Sequence, residues 1–202
     1  MSRLFDNTMD YSKLCFGKPK KTPDGKYFIP VCYRESEEDA ATQVMFQMSK
    51  VKVMTPVAKG EGEMNPAIDI HVSPTNPVME IINDCDEQIL GGVKDNKESW
   101  FPGKDMSDGY FDTAHMRSLK VVQKSKMQQF KVRTHKDIKC FDTNKKVHDI
   151  MAVTEDTDAT VIVQLYGVWF TKTRFGATWR MHQMKVYAPK EPIADCMIED
   201  SD

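Results

Sequence analysis

The chain has 202 residues and a mass of 23.2 kDa, enough for one sizeable core, with 40% hydrophobic and 29% charged residues. No run of about eighteen apolar residues occurs, and the opening MSRLFDNTMD carries acids where a signal peptide needs an apolar core, so the sequence reads as neither membrane-spanning nor secreted. The formal net charge of −2 hides a segregation: residues 117–146 carry many cations against only Asp137 and Asp142, while acids gather at 35–39, 80–87, 155–158 and 191–202.

In chain order, residues 1–10 carry no pattern. Leu14, Cys15 and Phe16 read as a short strand running into a basic turn, and Pro23, Asp24 and Gly25 form a second turn signal. Residues 27–33 then alternate as a strand, with Pro30 favouring an edge position or a bulge. Val44, Phe46 and Met48 alternate with polar residues until Ser49 and Lys50, where the apolar phase slips by one to Val51 and Val53. A slip of one is what a β-bulge produces. Residues 56–66 read as a loop and 67–72 as a strand through Ile68, Ile70 and Val72.

One helix is clear. Asn76 caps it, Pro77 suits its first turn, and Val78, Ile81, Ile82, Cys85, Ile89 and Leu90 share one face before Gly91 and Gly92 end it. Its other face, with Glu80, Asp84, Asp86 and Glu87, reads as solvated. Residues 94–112 read as a long loop with a short helical turn around 109–115. Strand-like pieces follow at 119–122, 130–132 and 138–140, with cations interleaved, and an acidic turn covers 154–160. The sum is all-β with one inserted helix, in a Greek-key barrel or small sandwich. A single domain is expected over 1–190, with the helical insertion near 77–90 and an acidic tail at 191–202.

The sequence carries no recognisable catalytic signature. None of His71, His115, His135, His148 or His182 has metal-ligand spacing to another histidine or a cysteine pair, and there is no GxxxxGK[ST] and no GxSxG. The five cysteines, odd in number and without a CxxC, fit free thiols in a reducing compartment. The expectation is a non-enzymatic protein with no metal and no cofactor.

The remaining signal lies in residues 161–187, VIVQLYGVWFTKTRFGATWRMHQMKVY, which read as two strands around a basic turn containing a glycine able to take positive φ. No Asp or Glu occurs between Ala159 and Lys190. Cations beside rings suit single-stranded nucleic acid, because ammonium and guanidinium groups neutralise phosphate and rings stack on any base. The candidates for phosphate contact are Lys120, Lys131, Arg133, Lys172, Arg174, Arg180 and Lys185; those for stacking are Tyr166, Phe170, Phe175 and Trp179. Period two sets Trp169 and Phe170 on opposite faces, and the reading places Trp169 inward and Phe170 outward. Trp169, Gly176 and Gln183 are assigned to holding the fold together.

Gly167-Val168-Trp169-Phe170, then Lys172, Phe175-Gly176, Trp179 and Gln183, form a pattern that resembles the single-stranded-DNA-binding proteins of nucleocytoplasmic large DNA viruses. Weaker likenesses are the Lys18-Pro19-Lys20 turn, Trp100 after the helix, and Lys131-Val132-Arg133. The resemblance implies an OB-fold and sequence-independent coating of single-stranded DNA in viral replication, repair or recombination. It also implies a place in the host cytoplasm (the viral factory) or nucleus, or packaging in the virion. The tail at 191–202 resembles the acidic ends that compete with DNA and recruit replication proteins, although it lacks the terminal phenylalanine of many phage and bacterial versions. The alternatives are an RNA-binding or transcription-associated module and a structural virion or scaffold protein. Homo-oligomerisation stays open.

Overall fold

The computed structural model describes residues 2–55, 67–101, 107–122, 126–134 and 138–187. The loop expected at 56–66 and the tail at 191–202 lie outside the described residues. Strands β1 (Ser2–Phe5), β2 (Leu14–Phe16), β3 (Lys20–Lys21), β4 (Tyr27–Tyr33), β5 (Gln43–Val53) and β6 (Ala67–Val72) precede the helices α1 (Val78–Asp95), α2 (Lys97–Trp100) and α3 (Asp108–Ala114). After them come β7 (His115–Met116), β8 (Leu119–Val121), β9 (Gln128–Arg133), β10 (Lys139–Phe141) and β11 (Val147–His148). The long pair β12 (Asp158–Phe170) and β13 (Phe175–Val186) ends the described chain. The expectation of a mostly β chain with one main helix holds.

β12 is the hub of the sheet. It pairs antiparallel with β13 on one edge and with β5 and β4 on the other. β5 passes to β6, β6 to β9, and β9 returns to β13 where Arg133 lies opposite Arg180. The pairings therefore form a closed circuit, and the alternate residues Val44, Phe46, Ile70, Phe130, Val163 and Leu165 are buried together. β4 is no edge strand at Pro30, which lies opposite Gly167 of β12 while its carbonyl accepts from Gly17 N at 2.8 Å.

Bulges decide which side chains face in. The slip expected at Ser49 and Lys50 is present: Lys50 takes φ 57°, and the β5–β12 register shifts between Ala159 and Val161. Two further shifts interrupt the β12–β13 pairing, at Ile162/Val163 and at Leu165/Gly167. The second resets the alternation along β12. Buried positions run Val161, Val163 and Leu165, then Val168 and Phe170, so Trp169 is only half-buried. The placement of Trp169 inward and Phe170 outward is thus reversed, because the sequence pattern carries no mark of a one-residue insertion in a strand this apolar.

α1 differs from its expected form in two ways. Asn76 Oδ1 does accept from Val78 N at 3.2 Å, but the helix runs straight through Gly91 and Gly92 to Asp95. Gly92 serves packing: a Cβ there would strike the ring of Phe16. The end is made instead by Asn96, whose backbone N–H and Nδ2 both donate to Gly92 O. Much of the long loop expected at 94–112 is accordingly helical in α1, α2 and α3, and α3 occupies the helical turn expected near 109–115.

Asp86 is not on a solvated face. It is fully buried and accepts from Ser118 N and Ser118 Oγ, both at 2.7 Å, while Trp179 Nε1 donates to the same Ser118 Oγ at 2.8 Å. This chain of bonds ties α1 to β13 through the segment before β8. Burial pushes the Asp86 carboxyl up to about 6.

Candidate nucleic-acid interface

The outward side of the β4–β12–β13 sheet carries a column of stacked groups. Phe28 of β4 and Tyr166 of β12 lie with ring centroids 5.0 Å apart and planes 29° apart. On the other side of Tyr166, the Arg180 guanidinium of β13 sits 3.4 Å above the ring centroid. Tyr166 is thus clamped between a ring and a cation, an arrangement that favours the flat guanidinium electrostatically and fixes its orientation. Gly167 makes the column possible: a Cβ at that position would collide with the Phe28 ring and the Ile29 carbonyl. Trp169, opposite Phe28 in the register, extends the aromatic surface, with its Nε1 donating to Ala177 O at 3.2 Å.

The face continues along β13. Gln183 and Lys185 point the same way as Arg180, and Lys139 and Phe141 of β10 lie opposite Gln183 and Lys185 in the register. A cavity of about 340 Å³ opens here, lined by Gln47, Phe141, Lys145, Ile162, Gln183 and Lys185 among others. Lys185 Nζ lies 5.4 Å from the Tyr187 ring, whose hydroxyl bonds to Thr160 Oγ1 at 3.0 Å. Arg133 of β9 lies beside Arg180 at the closing pair of the circuit, so from β4 across to β9 two rings, Phe28 and Tyr166, are followed by two cations, Arg180 and Arg133. Such a surface can offer phosphate contacts and base stacking together.

The expected site residues divide into three groups. Tyr166, Arg180, Arg133 and Lys185 are brought onto one surface. Phe170, Phe175 and Trp179 are not: they are 4%, 2% and 3% exposed and face the core, so they offer no ring to a base on this surface, against the expectation. Phe170 and Phe175 stack on each other at 5.2 Å, and Trp179 packs edge-on against Phe130 at 5.3 Å. Gly176 is not a turn glycine either. It lies within β13, where a Cβ would meet the Met116 carbonyl of β7 at 2.7 Å, and the turn itself is closed by Thr171 N donating to Arg174 O at 2.8 Å.

The third group stands apart from the column. Lys131 forms an ion pair with Asp69 at 3.5 Å, and Lys120 is exposed on β8, opposite Gln129 near the far end of β9 from Arg133. Lys172 and Arg174 are exposed on the β12–β13 turn. Sequence reasoning missed Phe28 and the outward Trp169. The signal for Phe28 was present in the alternation of 27–33, yet nothing local in the sequence indicates that β4 abuts β12.

A model of a family of unknown function, DUF5871, matches residues 63–200. The chain belongs to this family. No curated protein matches it significantly. Among solved structures, this family member is similar to gp2.5, a single-stranded DNA binding protein encoded by bacteriophage T7, with a TM-score of 0.50 and 13% identity. That match covers 78% of this chain and 98% of gp2.5. It is also similar to the single-stranded DNA-binding protein from bacteriophage Enc34, with a TM-score of 0.51 and 13% identity, covering 92% of this chain and 96% of the Enc34 protein. At such identity the likeness is one of fold.

Proposed function

We propose that this protein binds single-stranded DNA without sequence preference and without catalysis, as a coating protein of DNA replication, repair or recombination. The observation that carries the reading is the Phe28–Tyr166–Arg180 column on the outward face of the sheet. A pre-formed stack of ring and guanidinium presents flat groups to an unpaired base at little ordering cost, and each base–ring stack is worth about 1–3 kcal/mol whatever the base. Both phage proteins that share the fold are named as single-stranded DNA binders, which supports the same reading. The closed strand circuit is read as a barrel of the OB type, a fold whose sheet face commonly receives single strands.

The resemblance to the single-strand binders of nucleocytoplasmic large DNA viruses gives the biological setting of the proposal: viral replication in the host cytoplasm or nucleus, with packaging in the virion as a variant of it. The acidic residues 191–202 are proposed to compete with DNA for the basic face and to recruit replication proteins.

One titration tests the whole reading. The intrinsic tryptophan emission is followed while a deoxythymidine homopolymer, a duplex of equal length and the matched RNA are added at several salt concentrations. Quenching by the single strand in low salt is expected, with log affinity falling against log salt by about 0.7 per phosphate contact. Absence of quenching in low salt sinks the proposal, and preference for RNA reassigns the partner. Removal of 191–202 should tighten binding; unchanged or weaker affinity rejects a competing tail.

A further inference from the structure

We propose that a second site lies at the β12–β13 turn and takes a single unstacked nucleotide. The cavity there measures about 570 Å³, within the size range of small-ligand pockets, and its described lining comes from four separate parts of the chain. They are the end of the hairpin (Phe170 to Phe175), the β3–β4 turn, α2 with Phe101, and α3.

The cavity is aromatic within and cationic at its edge. Phe170 and Phe175 form its floor as a stacked pair, and Phe101 stands edge-on to Phe170 at 5.3 Å. Tyr27 and Tyr110, 46% and 38% exposed, present rings at the mouth, where a planar guest can reach them. Around that mouth stand Lys21, Lys26, Lys172 and Arg174, against one carboxylate among the described lining residues, Asp24, which is held by Lys26 at 2.6 Å. The Tyr110 hydroxyl donates to Lys172 O at 3.2 Å and ties α3 to the turn, so rim and rings keep a fixed relation.

A flat apolar slot beneath a positive rim matches a ligand that is planar at one end and anionic at the other. A purely apolar peptide has no use for the rim, and a bare anion has no use for the rings. A base with its phosphate uses both. The site sits on the inward side of the hairpin's end, whereas the stacked column lies on the outward side, so it does not depend on the strand-coating reading. The same chemistry has two sources, a free nucleoside monophosphate or the terminal nucleotide of a strand.

The test is a titration of the full chain, followed by amide resonances in the hairpin turn and α3. The probes are deoxyadenosine monophosphate, a 5′-phosphorylated linear oligonucleotide, the same oligonucleotide without phosphate, and a circular single strand. The monophosphate should shift the turn and α3 resonances. Lys172→Glu with Arg174→Glu should weaken that binding by about tenfold or more, the scale of a lost charge-assisted contact. Ala114→Leu, which fills the cavity from α3, should do the same. Arg180→Glu should leave the monophosphate affinity alone while weakening the circle, which has no end.

Shifts with the phosphorylated linear strand and not with the circle identify a strand terminus as the source; shifts with the monophosphate alone identify a free nucleotide. The inference is overturned if millimolar monophosphate moves none of these resonances, or if the rim and cavity variants bind it unchanged. It is also overturned if an acidic aromatic peptide occupies the pocket and the nucleotide does not. A strand affinity insensitive to Arg180→Glu would count against the stacked column alone.

Discussion

The two sides of one hairpin use the same residue types for opposite ends. Inward, Phe170, Phe175 and Trp179 are almost wholly buried; Phe170 packs on Phe175 and Phe175 on Phe111, while Trp179 packs on Phe130 and Phe46. Outward, Tyr166 and Trp169 remain partly accessible, joined by Phe28 from β4 and covered in part by Arg180. Ring chemistry therefore does not assign the role. The phase of the strand does, and the shift near Gly167 sets that phase for the last turn of β12. Inward rings contribute burial, worth about 25 cal/mol per Å² of apolar surface; outward rings leave that contribution partly unspent and available to a ligand.

The comparison breaks most visibly if an inward ring is removed. Trp179→Ala should cost about 3–5 kcal/mol of stability, read as a shift in the urea midpoint, because it opens a cavity and removes the indole N–H bond to Ser118 Oγ. The folded fraction should still bind a homopolymer with the parent affinity. Gly167→Ala strikes both sides at once, since the new methyl meets the Phe28 ring and the Ile29 carbonyl. A loss of about 1–3 kcal/mol in stability is expected, together with weaker strand binding as the column is forced apart. A variant with parent stability and weakened binding would show that the two sides are less coupled than the backbone implies.

On the outward side the signs reverse. Arg180→Glu should leave the urea midpoint within about 0.5–1 kcal/mol of the parent, as for a change at a partly exposed position. It should lower single-strand affinity by about tenfold or more and reduce the salt slope by about 0.7. Loss of stability without loss of binding would make the column a packing feature and remove its claim to function.

Much of this division was legible in the residues, but not its hinge. The long strands, the Lys50 bulge, α1 and the short helix at 108–114 follow from alternation, helical spacing and turn chemistry, all of which are local. The carboxylate-free stretch from Ala159 to Lys190 covers the β12–β13 hairpin, on which Tyr166 and Arg180 stack. What stayed hidden was long-range. The β12 shift near Gly167 lies in a run where nearly every residue is apolar or aromatic, so a slipped phase leaves no trace. Gly92 and Gly176 look like terminators by type, yet they serve close approach to Phe16 and to the Met116 carbonyl, contacts made by segments distant in sequence. Asp86 looked solvated beside Asp84 and Glu87, because the Ser118 that receives it lies 32 residues on.

The smallest expected effect is a cancellation, and it sharpens the inward side of the comparison. Asp86 and His115 both border the core around β13, His115 stacking on Phe175 at 5.1 Å. Burial raises the Asp86 carboxyl to about 6, against the opposing bonds from Ser118. Burial, then the nearby Arg117 guanidinium, lowers the His115 imidazole to about 4. For Asp86 the folded chain keeps a proton that the unfolded chain has released, so its contribution to stability is full below about pH 4 and is lost as pH rises through about 6. For His115 the unfolded chain takes a proton that the folded chain refuses, so its contribution is present above about 6.5 and is lost as pH falls toward about 4. Between about pH 4.5 and 6 the two slopes oppose, and the parent should show a nearly flat stability profile across that window. Asp86→Asn removes the falling limb. Urea unfolding of that variant should then show stability rising with pH where the parent is flat, and parallel profiles for the two would mean that Asp86 does not carry its proton in the folded chain.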